Sequence, residues 1–173
     1  MRDLITGATG FVGTALTERV SSVYDTIALV RTQNHVLSAN IQQLIAANIF
    51  AADLPENIDV IIHLAGRAHI LNEQTTDPLI EFRKVNVEGT LQLARQALDK
   101  KVKRFIFMSS IGVNGSVTLQ QPFTEDALPQ PHADYAVSKL EAEQELKKLF
   151  AGSDTELVII RPPLVYAAHA PGN

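Results

Sequence analysis

Two side chains that could move a proton stand four residues apart in the segment Tyr135-Ala-Val-Ser-Lys139. Residues at this spacing share one face of a helix, so the ammonium of Lys139 would lie one turn from the phenol of Tyr135. A phenol acts as a general acid or base near neutral pH only when its phenolate is stabilised, and a nearby positive charge does this. The same pair also occurs on ordinary helices without any chemistry, so it needs support from the rest of the chain.

A serine pair supplies part of that support. Ser109-Ser110 follows the apolar segment Phe105–Met108, which is typical of a buried strand. The hydroxyl of Ser110 could hydrogen-bond a substrate oxygen that gains or loses a proton. The following segment, 111–133, is rich in glycine and proline and longer than most connections, which is typical of a binding loop.

The elements that must position these side chains begin with a glycine-rich turn. Gly7, Gly10 and Gly13 are spaced three apart, between the short apolar strand Leu4-Ile5 and a helical pattern over Phe11–Val20. Such a turn leaves the first N–H groups of the helix free to face a pyrophosphate, which the helix dipole also favours. A merely structural turn is the alternative. Its position directly after the first strand favours a dinucleotide site.

Two further strand ends bear on the cofactor. Arg31 follows the strand Thr26–Val30, where a basic residue can accommodate a 2′-phosphate, so it favours NADP over NAD. A solvated arginine is the alternative. Asp53 and Leu54 follow a predicted third strand at Ile49–Ala52; Asp53 could accept from the adenine amine while Leu54 covers the ring. Asp53 could equally be a turn former.

Small residues follow the β-branched strand predicted over Ile58–Leu64, in the sequence His63-Leu-Ala-Gly66. Small side chains at the carboxyl end of a parallel strand leave room for a ligand. His63 has no carboxylate or second histidine at ligand spacing, so we interpret it as a hydrogen-bonded histidine and predict no metal site. Asn86 lies on the apolar face of the next helix and should therefore have a hydrogen-bond partner, while Gly89 indicates close approach of that helix to the sheet.

The alternation of apolar strands and helices predicts a doubly wound α/β fold, with a mostly parallel sheet and helices on both faces. Residues 33–47 read weakly as a helix. Asp77-Pro78 begins a long helix, Asp134 is placed as the N-cap of the helix with Tyr135, and the last strand is Glu156–Ile160.

Composition narrows the partners. The 173 residues carry a net charge of −4 without a basic stripe, which argues against nucleic acid, and no apolar run is long enough to cross a bilayer. There are no cysteines, so thiolate chemistry is excluded. The chain enters a strand at once, leaving no room for a signal peptide, and a cytoplasmic location is expected.

The motifs occur in order: the glycine-rich turn, Asp53-Leu54, His63–Gly66, Asn86-Val-Glu-Gly-Thr90, Ser109-Ser110, Tyr135 with Lys139, and Arg161-Pro-Pro163. Over nearly the whole chain this order resembles the extended short-chain dehydrogenase/reductase family, in its nucleotide-sugar epimerase/dehydratase branch. The segments Phe123-Thr-Glu-Asp126 and Arg161–Tyr166 are similar to those of 4-epimerases and 4-keto reductases of UDP-sugars. Asn114 and Ala167-Ala168 depart from the usual pattern, where tyrosine and a glycine-proline pair stand.

The resemblance implies roles for the residues that match. Tyr135 would be the acid/base, Lys139 would bind the nicotinamide ribose and tune Tyr135, and Ser110 would orient the substrate. Residues implied to contact NAD or NADP are Gly7, Thr9, Gly10, Phe11, Val12, Arg31, Asp53, Leu54, Leu64, Ala65, Gly66, Asn86, Ser109, Tyr135, Lys139 and Pro162.

The resulting hypothesis is an NAD(P)-dependent epimerase or 4-keto reductase that acts at C4 of a nucleotide sugar. The alternative is a non-catalytic NAD(P)-binding sensor or scaffold. Residues 1–166 are expected to form the dinucleotide-binding domain and 167–173 to begin a substrate domain, so the chain should bind dinucleotide in an open cleft but have little affinity for the sugar. A homodimer is left open.

Overall fold

A six-stranded, wholly parallel sheet forms the centre of the computed structural model, which describes residues 1–68, 77–118 and 121–167. The strands are β1 (Arg2–Thr6), β2 (Asp25–Val30), β3 (Gln42–Ile45), β4 (Val60–His63), β5 (Arg104–Met108) and β6 (Glu156–Ile160). Their spatial order is β3-β2-β1-β4-β5-β6. The strand order reverses between β1 and β4, because β2 and β3 extend to one side of β1 and β4 to β6 extend to the other. Such sheets bind ligands at this topological switch point. The predicted doubly wound fold is confirmed.

The helices are α1 (Phe11–Ser21), α2 (Pro78–Arg83), α3 (Thr90–Asp99) and α4 (Asp134–Phe150). Asp77 caps α2 by accepting from the backbone N–H of Ile80, and Pro78 occupies the first turn as predicted. A π-helical turn, Lys84–Gly89, joins α2 to α3 without a break. Such turns often occur at functional sites.

Two cores sandwich the sheet. The larger core is built on β4, β5, α3 and α4 and includes the fully buried Phe105, Phe107, Leu93 and Leu146. The smaller one lies under α1 and includes Ile5, Ala28 and Val30. Helix α1 covers one face of the sheet, and α3 and α4 cover the other. The central strands are therefore buried on both sides.

The predicted helix over 33–47 is wrong. The chain instead forms a loop followed by β3, and the side chain of Asn34 accepts from the backbone N–H groups of Val36 and Leu37. The amide of Gln43 also exchanges two hydrogen bonds with the backbone of Asn34. Side chains that bond the local backbone in this way compete with helix formation.

The third strand predicted at Ile49–Ala52 is also wrong. This segment is a 3₁₀ turn over Ile49–Ala51, capped by Asn48, whose side chain accepts from the N–H groups of Phe50 and Ala51. Gly89 packs on this turn rather than on the sheet, since a Cβ added to it would lie 2.6 Å from Ile49. Helix α4 begins at Asp134 itself and its N-cap is Ala133, so the predicted cap was displaced by one residue.

None of the helices in the described ranges is long and apolar enough to cross a membrane. The segment 168–173, and with it the greater part of the predicted start of a substrate domain, lies outside the described residues.

Candidate active site

The glycine-rich turn has the geometry that its sequence indicates. Gly7 adopts a φ of 68°, which side chains disfavour, and its carbonyl accepts from the N–H of Gly10 at 2.9 Å. A Cβ on Gly13 would lie 2.0 Å from the same carbonyl, so no larger residue fits there. Gly10 begins α1 without any side-chain cap. The first N–H groups of α1 are therefore left to bind an anion.

A cleft of about 680 Å³ opens at the carboxyl edge of the sheet, beside this turn. Its walls come from the glycine-rich turn, the ends of β4 and β5, α4 and the segment after β6. The lining residues are Gly7, Gly10, Phe11, Val12, Gly13, Leu64, Ala68, Met108, Ser109, Ser110, Ile111, Gly112, Gly115, Ser116, Tyr135, Pro162, Pro163, Leu164 and Val165. Many of the predicted cofactor residues are therefore brought together around one cavity.

Tyr135 lines the cleft in the first turn of α4, half-buried against the ring of Phe82 at a centroid distance of 6.1 Å. Burial raises the pKa of Tyr135. The ammonium of Lys139, which is predicted to stabilise the phenolate, lies 6.0 Å from the centroid of the Tyr135 ring. Desolvation causes the raised pKa of Tyr135, and the stabilisation of its phenolate by Lys139 stays a prediction.

Lys139 is a buried charge, and none of the described carboxylates is in direct contact with it. Its side chain is 3% exposed, and its Nζ atom lies 4.4 Å from the centroid of the Phe107 ring. Within the described part of the chain this ammonium makes no hydrogen bond or salt bridge. Desolvation lowers its pKa to about 8, opposed by the nearby carboxylate of Glu143.

The two serines after β5 have different surroundings. The Ser110 hydroxyl accepts from the N–H of Gly112 at 3.1 Å, capping a short 3₁₀ turn, and its own O–H remains able to donate into the cleft. The Ser109 hydroxyl is buried and donates to Glu143 at 2.5 Å. Of these two serines, Ser110 is therefore the one whose hydroxyl can donate to a ligand.

Asn86 and His63 act as internal supports. The Asn86 side chain accepts from the N–H of Arg67 at 2.8 Å and donates to the hydroxyl of Ser138 at 3.0 Å, so it joins the loop after β4 to α4. Its predicted hydrogen-bond partner is confirmed. His63 bonds Thr6 at 2.6 Å and Thr90 at 2.9 Å, which confirms a hydrogen-bonded histidine. Burial, with the charge of Lys139, lowers its pKa to about 3.

Several residues implied to contact the cofactor lie apart from the cleft lining, among them Thr9 and the residues predicted at the adenosine half, Arg31, Asp53 and Leu54. Thr9, Arg31 and Asp53 are exposed. Leu54 is 2% exposed and packs in the larger core, so its side chain offers no surface to a ring. Ala65 and Gly66 lie on the loop after β4, where Gly66 approaches the ammonium of Lys139. In the described ranges no cluster of three His, Asp or Glu side chains could hold a metal ion.

Sequence reasoning missed an ion pair behind the cleft. The carboxylate of Glu143, which is 1% exposed, accepts from Arg161 through Nε at 2.9 Å and through a terminal nitrogen at 2.5 Å. Arg161 also donates to Asn114 at 3.1 Å. Arg161 belongs to a motif found in the sequence, but Glu143 has no sequence signal beyond its spacing of four from Lys139, which is common on exposed helices.

Residues 4–173 match the NAD dependent epimerase/dehydratase family. The chain is 41% identical over 98% of its length to a UDP-glucose 4-epimerase of Vibrio cholerae and covers 53% of that enzyme. It is 34% identical over 66% of its length to a mouse dTDP-D-glucose 4,6-dehydratase and covers 31% of it.

Solved structures agree with these sequence relationships. A UDP-glucuronic acid 4-epimerase from Bacillus cereus, in complex with NAD, superposes with a TM-score of 0.81 at 26% identity. The match covers 96% of this chain and 57% of that one. This chain thus spans about half the length of the relatives that it matches over most of its own length. Sequence, sheet order and the glycine-rich cleft agree, and the chain belongs to the NAD dependent epimerase/dehydratase family.

Proposed function

We propose that this chain is the NAD-binding and catalytic part of an enzyme that oxidises and reduces C4 of a UDP-sugar. The observation that carries the proposal is the placement of Tyr135, Ser110 and the buried Lys139 at one edge of the sheet, next to the uncapped start of α1. A candidate proton donor and a candidate hydrogen-bond donor would then line the proposed cofactor site, with a buried cation close to them. Residues 1–166 would form the dinucleotide-binding domain.

The residues present fit a dinucleotide. Gly10 carries no side chain at the start of α1, and the N–H groups there suit a pyrophosphate. Phe11, Val12 and Leu64 supply apolar walls, with Pro162 facing them across the cleft. The ammonium of Lys139 has donors to spare, which suits ribose hydroxyls. When bound, NAD supplies a hydride acceptor and donor and, in its oxidised form, a positive charge.

Each protein group then has one task at the sugar. Tyr135 takes the proton of the C4 hydroxyl while the hydrogen bonded to C4 leaves as a hydride. It returns a proton to the oxygen when the C4 carbonyl is reduced. Ser110 donates a hydrogen bond to the same oxygen, which holds it in place as its charge changes. Lys139 keeps a positive charge close to the reacting oxygen. Because burial raises the pKa of Tyr135, its ionisation at neutral pH depends on added positive charge in the cleft.

The relatives support the substrate class. The Vibrio cholerae relative is a UDP-glucose 4-epimerase, and structural neighbours were solved with UDP-glucose or UDP-glucuronic acid together with NAD. We therefore place a UDP-hexose with its C4 oxygen at Tyr135. An epimerase would return the hydride to the other face of the keto sugar. A reductase would instead transfer a hydride from a reduced dinucleotide to a keto sugar and then exchange the oxidised dinucleotide for a reduced one. Cofactor that stays bound to the purified protein and is released only by denaturation would indicate the epimerase, because only the epimerase keeps its NAD through the cycle.

Calorimetry of NAD, and then of UDP-glucose, with the 173-residue chain tests this proposal. We expect NAD to bind, with a loss of binding in Gly13→Val, whose side chain would overlap the Gly7 carbonyl. We expect weak affinity for the sugar nucleotide. Micromolar binding of UDP-glucose would show that the sugar site is already complete. Absence of NAD binding would contradict the proposal. Binding without turnover of UDP-sugars, in a form of the protein extended to the length of the relatives, would favour a sensor or scaffold.

A further inference from the structure

Glu143 joins three elements of the fold behind the cleft. Its Oε1 accepts from the hydroxyl of Ser109 at 2.5 Å, at the end of β5. The same carboxylate accepts in bidentate fashion from the guanidinium of Arg161, the first residue after β6. Glu143 itself lies in the middle of α4. One buried carboxylate therefore ties α4 to the ends of two neighbouring strands.

This ion pair is almost removed from solvent, since the side chain of Glu143 is 1% exposed and that of Arg161 is 15% exposed. A buried carboxylate must be paired and hydrogen-bonded, and the three donors around Glu143 meet this need. The network continues through Arg161 to Asn114 and from Asn114 to the backbone carbonyl of Thr124, at 3.1 and 3.2 Å. It thus also joins Asn114 and Thr124, which follow Ser110 in the sequence, to Arg161.

Glu143 is placed between the proposed catalytic groups without lining the cleft. It follows Lys139 by one helical turn and Tyr135 by two, on the same helix. Ser109, which it holds, directly precedes Ser110. The Glu143 carboxylate therefore connects α4, which carries Tyr135 and Lys139, to the end of β5, which Ser110 follows.

We propose that Glu143 is a positioning residue, whose carboxylate sets the separation between α4, with Tyr135 and Lys139, and the end of β5, with Ser110. The inference rests on the proposed function, because it assigns Glu143 a part in that site. A shift of about 1 Å between reacting groups can lower a rate by roughly 10²-fold, so a fixed connection at this place has a direct consequence for turnover.

The charge of Glu143 acts on Lys139 as well. It is the anionic group that raises the pKa of Lys139 against the effect of burial. The other titratable groups close to Lys139 are His63 on β4, which is neutral above about pH 3, and Tyr135, whose pKa burial raises. Arg161 is a permanent cation behind Glu143. Burial is the larger influence on the pKa of Lys139, and Glu143 is the charged group that opposes it, so removal of the Glu143 carboxylate should lower this pKa further.

A matched control lies two residues away on the same helix. Glu141 also forms a bidentate pair, with Arg83 at the end of α2, but its side chain is 31% exposed and that of Arg83 is 45% exposed. Glu141→Gln removes an ion pair of the same chemistry from the same helix. It leaves the contact with β5 and β6 untouched.

The test follows Lys139 by NMR in ¹³C-lysine-labelled protein, with its signal assigned by its loss in Lys139→Met. Its Hε protons lie close to the Phe107 ring, so their shift reports the distance between α4 and β5. We expect Glu143→Gln to move this shift and to lower the Lys139 titration midpoint by roughly one to two pH units. Glu141→Gln should change neither. In the active enzyme, Glu143→Gln should lower kcat by about 10- to 100-fold with little change in KM.

If Glu143→Gln fails to fold, the pair is replaced by Glu143→Leu with Arg161→Met, because apolar residues of similar size can replace buried ion pairs without loss of stability. This double variant should fold and still show the displaced Lys139 signal. A Lys139 shift and midpoint like those of Glu141→Gln in either variant would overturn the inference. The NMR result does not depend on NAD binding, so failure of the proposed function would be seen separately in calorimetry.

Discussion

Two buried ionisable side chains, Lys139 and Asp3, lie at opposite edges of the sheet. Both carry the free-energy cost of desolvating a charge, but their surroundings differ. Lys139, 3% exposed, lies at the carboxyl edge, and Asp3, 2% exposed, lies in the first half of β1 at the amino edge. Burial lowers the pKa of Lys139 to about 8 and raises the pKa of Asp3. In the described residues Oδ1 of Asp3 finds no hydrogen-bond donor. Both charged forms therefore destabilise the folded state.

The surroundings separate the two. Lys139 shares its helix with Tyr135, which lines the cleft beside the uncapped start of α1. The carboxylates of Asp25 and Asp59 lie near Asp3 and raise its pKa further, which is unfavourable for binding an anion and adds nothing to the cleft. A buried ionisable group with a shifted pKa thus indicates a functional site only where ligand-binding geometry lies beside it. The following predictions test that distinction.

The largest effect is expected for Tyr135→Phe. Removal of the phenolic hydroxyl should lower turnover in the active enzyme by about 10²-fold or more, the size of a lost general acid/base, while the affinity for NAD stays within a few-fold. Steady-state kinetics and calorimetry measure both. Tyr24→Phe, at the amino edge just before β2, is the matched control and should be silent. Normal turnover in Tyr135→Phe would remove Tyr135 from the chemistry.

Lys139→Met should stabilise the fold and weaken NAD binding at the same time. The pKa of Lys139 is lowered from 10.5 to about 8, so at pH 7 the folded state carries a charge that costs about 3 kcal/mol. The gain from the substitution should be full below about pH 8 and disappear as the pH rises towards 10.5, where the unfolded chain also loses its proton. Urea unfolding at several pH values measures it. A destabilised Lys139→Met at pH 7 would contradict the comparison.

Asp3→Asn should also stabilise the fold, by less than Lys139→Met, and its gain in the free energy of unfolding should disappear at low pH rather than at high pH. Because the folded pKa is raised, the charged carboxylate costs stability at neutral pH, and this cost vanishes as the pH falls below 3.8, where both states are protonated. We expect a gain of about 1 kcal/mol at pH 7. NAD affinity should not change, in contrast to Lys139→Met. A parallel loss of NAD binding would show that the amino edge is coupled to the cleft.

Arg31 tests the choice of cofactor and should have the smallest effect. Arg31 is exposed at the end of β2, so a contact with a 2′-phosphate would be worth about 1 kcal/mol, or a few-fold in affinity for NADP. Titration of NAD and NADP into the wild type and Arg31→Ala measures it. Equal affinities of the wild type for both dinucleotides would remove Arg31 from the site. The solved 4-epimerase from Bacillus cereus is in complex with NAD, which favours NAD, whereas Arg31 favours NADP.

Local sequence alone identified the glycine-rich turn, because the φ of Gly7 and the close approach at Gly13 admit no other residue type. It also indicated the parallel sheet, since buried strands alternate with helices. It failed between residues 33 and 52, where Asn34 and Asn48 bond the nearby backbone and replace a helix and a strand with a loop and a 3₁₀ turn.

Tertiary structure decided the electrostatics of the site. Tyr135 and Lys139 share a helix by sequence spacing, but the position of the ammonium over Phe107 depends on how α4 packs on β5. The bond from Ser109 to Glu143, and the pairing of Glu143 with Arg161, join residues 18 to 34 positions apart. Short-range spacing sets which side chains share a face. Burial and pairing of charges depend on which elements meet, and desolvation then sets each pKa.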